Sequence, residues 1–190
     1  MKQMTNPKKE QTKQVLEATL AQLLEKQSFD DISTTQLAAA AKISRSGFYT
    51  HYRDKYELIE HYQQRLFNQL EYIFDKHTDN SQGAVLEIFE FLNREPLFAA
   101  LLSRNGSRDI QDYIKNKFKR LMLNDIQDTD RALSRGFRHN LQEKKLFPSE
   151  IEYGAVFLVN ALFGVCQRWI EGGKKESPQQ ITDVIFKMMT

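Results

Sequence analysis

The stretch from Ser33 to Lys55, STTQLAAAAKISRSGFYTHYRDK, constrains this chain more than any other, because two capped helices fit into it with only a short turn between them. Ser33 stands three residues before Gln36, the spacing of a capping box in which a hydroxyl accepts an orphan backbone N–H and the amide side chain reaches back. Leu37, Ala38 and the alanines up to Ala41 supply small, helix-favouring positions that let a short helix pack tightly. Lys42 and Ile43 make the turn, and Ser44 is a second N-cap. The helix it opens carries Arg45, Ser46, Gly47, Tyr49, Thr50 and His51 around one apolar pair, Phe48 and Tyr52, four residues apart.

That division suits a helix that anchors by one side and touches DNA with the other, since short donors and acceptors near its N-terminus can approach base edges in the major groove. Charge is placed to match. Lys42, Arg45, Arg53 and Lys55 face Asp54 alone in this window, giving +3, whereas the whole chain carries +2. A local excess of this kind suits phosphate neutralisation at one surface.

The order Phe29, Ile32, Thr34, Leu37, Ala38, Ala41, Ile43, Ser44, Phe48, Tyr49, His51, Tyr52, Lys55, Glu57, Leu58 resembles the N-terminal domain of the TetR/AcrR family of bacterial transcriptional regulators, over about residues 9 to 60. Two departures stand out. Lys42 occupies a place where the family usually has a turn glycine, so it must take a strained conformation or a different turn. Gly47 occupies a place where a larger residue is common, which leaves base readout with fewer contacts.

The resemblance implies that Thr34 and Thr35, then Ser44, Arg45, Ser46, Gly47, Tyr49, Thr50 and His51, meet double-stranded DNA, and that Lys55 meets phosphate. Arg45 alone in this set has the bidentate fork that suits guanine, which makes it the candidate base reader; Tyr49 and His51 suit the backbone. Residues 1–54 are then expected to form a three-helix DNA-binding domain, and 55–190 a helical effector-binding and dimerisation domain. The fold is expected to be all-α with nine to ten helices, in keeping with eight glycines, four prolines and no run of strand-like alternation.

Other chemistry finds little support. The N-terminus, MKQMTNPKKEQTK, has no apolar core, so it reads as neither a signal peptide nor a membrane anchor, and a cytoplasmic protein is expected. Cys166 is the only cysteine, and the four histidines fall in no paired spacing, so no metal or cofactor is expected. Nor is there a phosphate-cradling glycine loop or a nucleophile elbow, and no enzyme is expected.

Along the rest of the chain, Asn6 and Pro7 open a first helix with a stripe through Leu16, Leu20 and Leu24; its Lys8, Lys9 and Lys13 could reach flanking phosphates or simply be solvated. A long amphipathic helix runs from Lys55 towards Lys76, and Gly83 marks the break after it. Further helices are expected over 82–93, 96–104, 108–126 and 129–146. Residues 95–126 resemble the effector domain of a TetR subgroup that includes regulators associated with dihydroxyacetone kinase genes. Capping boxes at Ser149 with Glu152 and at Ser177 with Gln180 begin the last two helices.

The penultimate helix has a core face through Ala155, Val159 and Trp169 and a second, mixed face through Tyr153, Phe157, Asn160, Gly164 and Gln167. With Ile181, Val184, Ile185 and Met188 of the last helix, that face reads as the seam of a homodimer, two helices from each chain. Asn160, Gln167 and Arg168 leave the apolar stretch short of a membrane span. A small-molecule effector pocket would lie among the body helices, with no residues assigned to it. Two rivals stay open: a helical ligand-binding or scaffolding protein with a decayed motif, and an activator rather than a repressor of the same fold.

Overall fold

A computed structural model describes residues 7–77, 80–127 and 147–189. Among these the chain is all-helical, with nine helices and no strand: α1 Pro7–Leu24, α2 Thr34–Ala40, α3 Arg45–Tyr49, α4 Lys55–Lys76, α5 Ser81–Arg94, α6 Pro96–Leu102, α7 Arg108–Gln127, α8 Pro148–Glu171 and α9 Pro178–Met189. The helix expected over 129–146 and the Asn6 cap lie outside the described residues.

Two compact units divide the chain. The first comprises Met1–Phe67 and Pro96–Ser107, the second Asn68–Glu95 and Arg108–Thr190. The division falls inside α4, between Phe67 and Asn68, rather than at its start. Leu58, Ile59, Tyr62 and Leu66 of α4 fall in the first unit and Leu70 and Ile73 in the second, and all six are buried.

In the first unit, α1 packs on α2 and α6, and Leu16, Leu20 and Leu24 are buried beside Leu37, Phe48 and Leu58. The loop after α1 is held from a distant part of the chain. The Phe29 N–H donates to the Asn105 carbonyl at 2.8 Å, and the Asn105 side-chain amide donates to the Leu24 carbonyl at 2.7 Å. Gly106 makes that turn possible, because a Cβ there would sit 1.8 Å from the Leu101 carbonyl oxygen.

In the second unit α5 packs on α9 and α7 on α8. Trp169 is buried edge-on to Phe89, ring centroids 5.2 Å apart, and its indole N–H donates to the Glu176 carbonyl at 2.9 Å. Ser177 and Gln180 cap α9 reciprocally, as their spacing predicts: the Gln180 N–H donates to Ser177 Oγ at 3.2 Å, and the Ser177 N–H to Gln180 Oε1 at 2.8 Å.

Two helix starts differ from the sequence-based expectation. α8 begins at Pro148, a residue suited to a first helical position because its missing N–H is an orphan there anyway. The Phe147 N–H donates to Glu150 at 2.6 Å, so Glu150 rather than Glu152 closes this end. Gly83 does not end a helix but lies in the first turn of α5, donating to Asn80 Oδ1 at 2.8 Å. A Cβ there would come within 2.6 Å of the Asn80 side chain, which explains the glycine.

Candidate nucleic-acid interface

The two serines predicted as caps do cap. Ser33 Oγ accepts the Gln36 N–H at 3.1 Å and Ser44 Oγ accepts the Gly47 N–H at 3.0 Å. Each satisfies an orphan donor, a contribution of about 1 kcal/mol. The five-residue α3 needs that help, since so short a helix has little stability of its own. Its other support is Phe48, fully buried, whose removal from water contributes about 1.5–3 kcal/mol.

With Phe48 inward, the opposite side of α3 is left to solvent. Arg45, Ser46, Tyr49 and Thr50 are exposed there, with Thr35 exposed and Thr34 half-buried at the start of α2. The Arg45 guanidinium lies over the Tyr49 ring, 5.8 Å from its centroid, and the Tyr49 ring stands edge-on to Phe48 at 5.8 Å. Stacking of this kind limits the rotamers of the Arg45 fork before any ligand arrives. The hydroxyls are partly occupied: Ser44 Oγ caps the helix and meets Ser46 Oγ at 3.2 Å, and Thr50 Oγ1 donates to the Gly47 carbonyl at 2.7 Å.

Gly47 is not simply a missing reader. A Cβ at this position would face Ser44 Oγ at 3.0 Å and the Ile43 side chain at 3.1 Å, so the direction belongs to the cap and the turn. Lys42 resolves the turn question: its φ is +57°, the left-handed region, so the strained alternative is the one adopted. Its backbone N–H still donates to the Ala39 carbonyl at 3.0 Å.

Lys55 departs from the expected phosphate contact. It is buried, and its ammonium turns inward to donate to the Phe29 carbonyl at 2.6 Å and the Asp30 carbonyl at 3.1 Å, over the rings of Phe29 and Tyr56. Burial holds its pKa below the usual lysine value, partly offset by Asp30 and Asp31. A cation already enclosed by carbonyls and aromatic faces is a tie within the unit, not a free surface charge.

Two features escaped the sequence-based expectation. Asp54 caps α4, its Oδ1 accepting the Tyr56 and Glu57 N–H groups at 2.9 Å each, while Glu57 accepts the Arg53 N–H; the Asp54–Glu57 spacing could have revealed it. His51 is half-buried, and its pKa is held down by burial and then by Lys13 and Lys9 of α1.

The candidate seam is uneven. Tyr153, Phe157 and Met188 are 77%, 75% and 79% exposed, and Val184, Asn160 and Gly164 are also exposed. An open groove of about 730 Å³ between α8 and α9 is lined by Asn160, Gly164, Arg168, Ile181 and Val184 among others. Two expected members face elsewhere. Ile185 is 4% exposed and belongs to the unit's own core, and Gln167 reaches Gln111 of α7 at 3.4 Å. Glu150–Glu171 is long and apolar enough to cross a membrane by length and composition, yet Arg168 and the polar Asn160 and Gln167 interrupt it.

Comparison with known proteins agrees with this architecture. Residues 16–62 match the family described as bacterial regulatory proteins, tetR family, and residues 79–190 match the family described as transcriptional regulator C-terminal region. No curated protein sequence matches the chain. Among solved structures, the chain is similar to the dihydroxyacetone kinase operon activator DhaS, at 17% identity and a TM-score of 0.54, covering 93% of each chain. It is similar also to a tetR-family transcriptional regulator from Streptomyces coelicolor, at 20% identity and a TM-score of 0.54, covering 93% of this chain and 78% of that one. The chain belongs to the TetR family of transcriptional regulators.

Proposed function

We propose that the protein is a cytoplasmic repressor that binds a near-palindromic operator as a homodimer and is released by an effector held in the C-terminal region. The observation that carries the DNA-binding part is α3 itself: a twice-supported short helix, capped by Ser44 and anchored by Phe48, that turns Arg45, Ser46, Tyr49 and Thr50 to solvent. Such a helix can enter the major groove by its N-terminal end, with Arg45 on a guanine and Tyr49, Thr50, His51 and Thr35 on the backbone. Ser44, Ser46 and Gly47 carry no bulky side chain, which leaves room for close approach of the backbone to DNA.

A second copy of the chain is the cover we assign to Tyr153, Phe157, Asn160, Gly164, Ile181, Val184 and Met188. Exposed aromatic and aliphatic groups on neighbouring helices support it, since contiguous apolar surface of this kind marks an interaction site. Two-fold pairing would present two copies of α3 to successive half-sites.

Selection of duplexes from a random-sequence pool, followed by footprinting, tests the reading. The expected result is a near-palindrome with half-sites one or more helical turns apart. Failure to enrich any sequence would overturn DNA recognition. Reporter output from the selected operator separates repression, in which deleting the regulator raises output, from activation, in which deletion lowers it.

A further inference from the structure

Gly164 lies well inside α8 on its exposed side, and among the described residues nothing comes within 4 Å of where its Cβ would stand. Packing within the protomer therefore gives no reason for a glycine at this point. A glycine inside a helix weakens it through the extra backbone freedom that folding removes, and its usual compensation is the close approach of another group.

Two turns earlier on the same face stands the opposite feature. Phe157 is 75% exposed, and so is most of Tyr153, one turn before it. Residues 153, 157, 160, 164 and 168 follow one exposed helical stripe, with two projecting rings at one end, a hollow towards the middle and the Arg168 guanidinium at the other end. Asn160 does not fill the hollow, because its side-chain amide turns back along its own helix and donates to the Val156 carbonyl at 2.8 Å. Beside Gly164 the hollow opens into the groove between α8 and α9, where Ile181, Val184 and Trp169 supply apolar lining.

A projection and a hollow on one helix face are self-complementary about a two-fold axis, since in such a pair residue i meets j and j meets i. We infer that the α8 helices of two protomers cross antiparallel, with Phe157 of each seated over the partner's Gly164 in the α8–α9 groove and Tyr153 stacked on the partner's Arg168. The inference rests on the homodimer proposed above and supplies its register. Both pairings share one midpoint, between Asn160 and Ala161, so a single two-fold axis satisfies them together. A parallel pair satisfies neither: like would face like, the Gly164 hollows would meet and stay empty, and the two guanidinium groups would repel. A guanidinium over a tyrosine ring is attracted instead. Glu150 and Glu171, which this register brings to the two ends of the pair, lie several turns from the crossing, where inclined helices have diverged.

Sedimentation of the full chain tests the register. Gly164→Leu, for which the protomer has room, fills the hollow and should weaken dimerisation by roughly tenfold or more; Phe157→Ala removes the projection and should weaken it similarly. Combining the two substitutions transposes projection and hollow, so the double variant should dimerise more tightly than either single variant. Unaltered helical circular dichroism accompanies each result, since both side chains lie outside the protomer's core. A Gly164→Leu variant that dimerises as tightly as the wild type, or a double variant no tighter than its tighter parent, overturns the register alone. A wild type that sediments as a monomer overturns the homodimer itself.

Discussion

The Lys55 ammonium donates to the Phe29 carbonyl at 2.6 Å, which joins the start of α4 to the loop between α1 and α2. Lys55→Met keeps most of the apolar stem but leaves the carbonyls of Phe29 and Asp30 without this donor. An unsatisfied buried acceptor costs about 1–3 kcal/mol, so the urea midpoint should fall accordingly. The salt slope of DNA binding, measured where the variant is folded, should stay unchanged. A slope lower by one unit with unaltered stability would return Lys55 to the phosphate contacts.

Arg45 and Tyr49 are expected to act as a pair, because the guanidinium rests over the ring. Arg45→Ala should cost roughly 1–3 kcal/mol of operator affinity and relax preference at one base pair. Tyr49→Leu, which removes the ring but not the arginine, should weaken that same preference. Binding of base-substituted operators measures both, and independent effects of the two substitutions would argue against pre-stacking.

At Lys42 backbone strain competes with chain entropy. Holding a non-glycine residue in the left-handed region costs about 1–2 kcal/mol, whereas glycine's extra freedom in the unfolded chain costs about 0.5–1 kcal/mol. Relief of strain outweighs the entropic cost, so Lys42→Gly should stabilise the protein by about 0.5–1 kcal/mol, read as a raised urea midpoint. A lowered midpoint would show that the turn relaxes its strain in solution.

The depressed pKa of His51 has a definite pH signature. A base whose folded pKa lies below its unfolded value of about 6.5 contributes stability that is present above that pH and lost as the pH falls through the folded value. Wild type should therefore lose more stability than His51→Gln as the pH is lowered from about 7 towards about 5. Parallel loss in both would place the acid sensitivity at other groups.

Phe157 is 75% exposed on α8 and close in sequence to exposed Tyr153. Phe157→Glu should shift the protein from dimer to monomer in sedimentation, since full burial of a phenylalanine is worth about 1.5–3 kcal/mol and a carboxylate opposes it. Helical content should be unaltered. An unchanged dimer would move the seam to another face.

Local chemistry was the legible part of this fold. Ser33, Ser44 and Ser177 could be identified as caps because a cap depends on residues within one turn. Phe48 could be identified as an anchor because its polar neighbours left it alone on one side. Orientation of long side chains was not legible: Lys55 has the same spacing whether its ammonium meets a phosphate or the Phe29 carbonyl. Ile185 and Gln167 were misplaced for a related reason, since helical period defines a face but not which neighbour covers it.

The hold of Asn105 on Leu24 and Phe29 has a consequence for how the protein can be cut. The reading unit is discontinuous in sequence, because residues beyond α5 return to complete it. An excised fragment ending at Asp54 would lack both Lys55 and Asn105, leaving the loop before α2 without either of its distant partners. The recognition helix is thus not a transplantable module of the N-terminal segment; grafting it elsewhere would require carrying along a second, separate piece of chain.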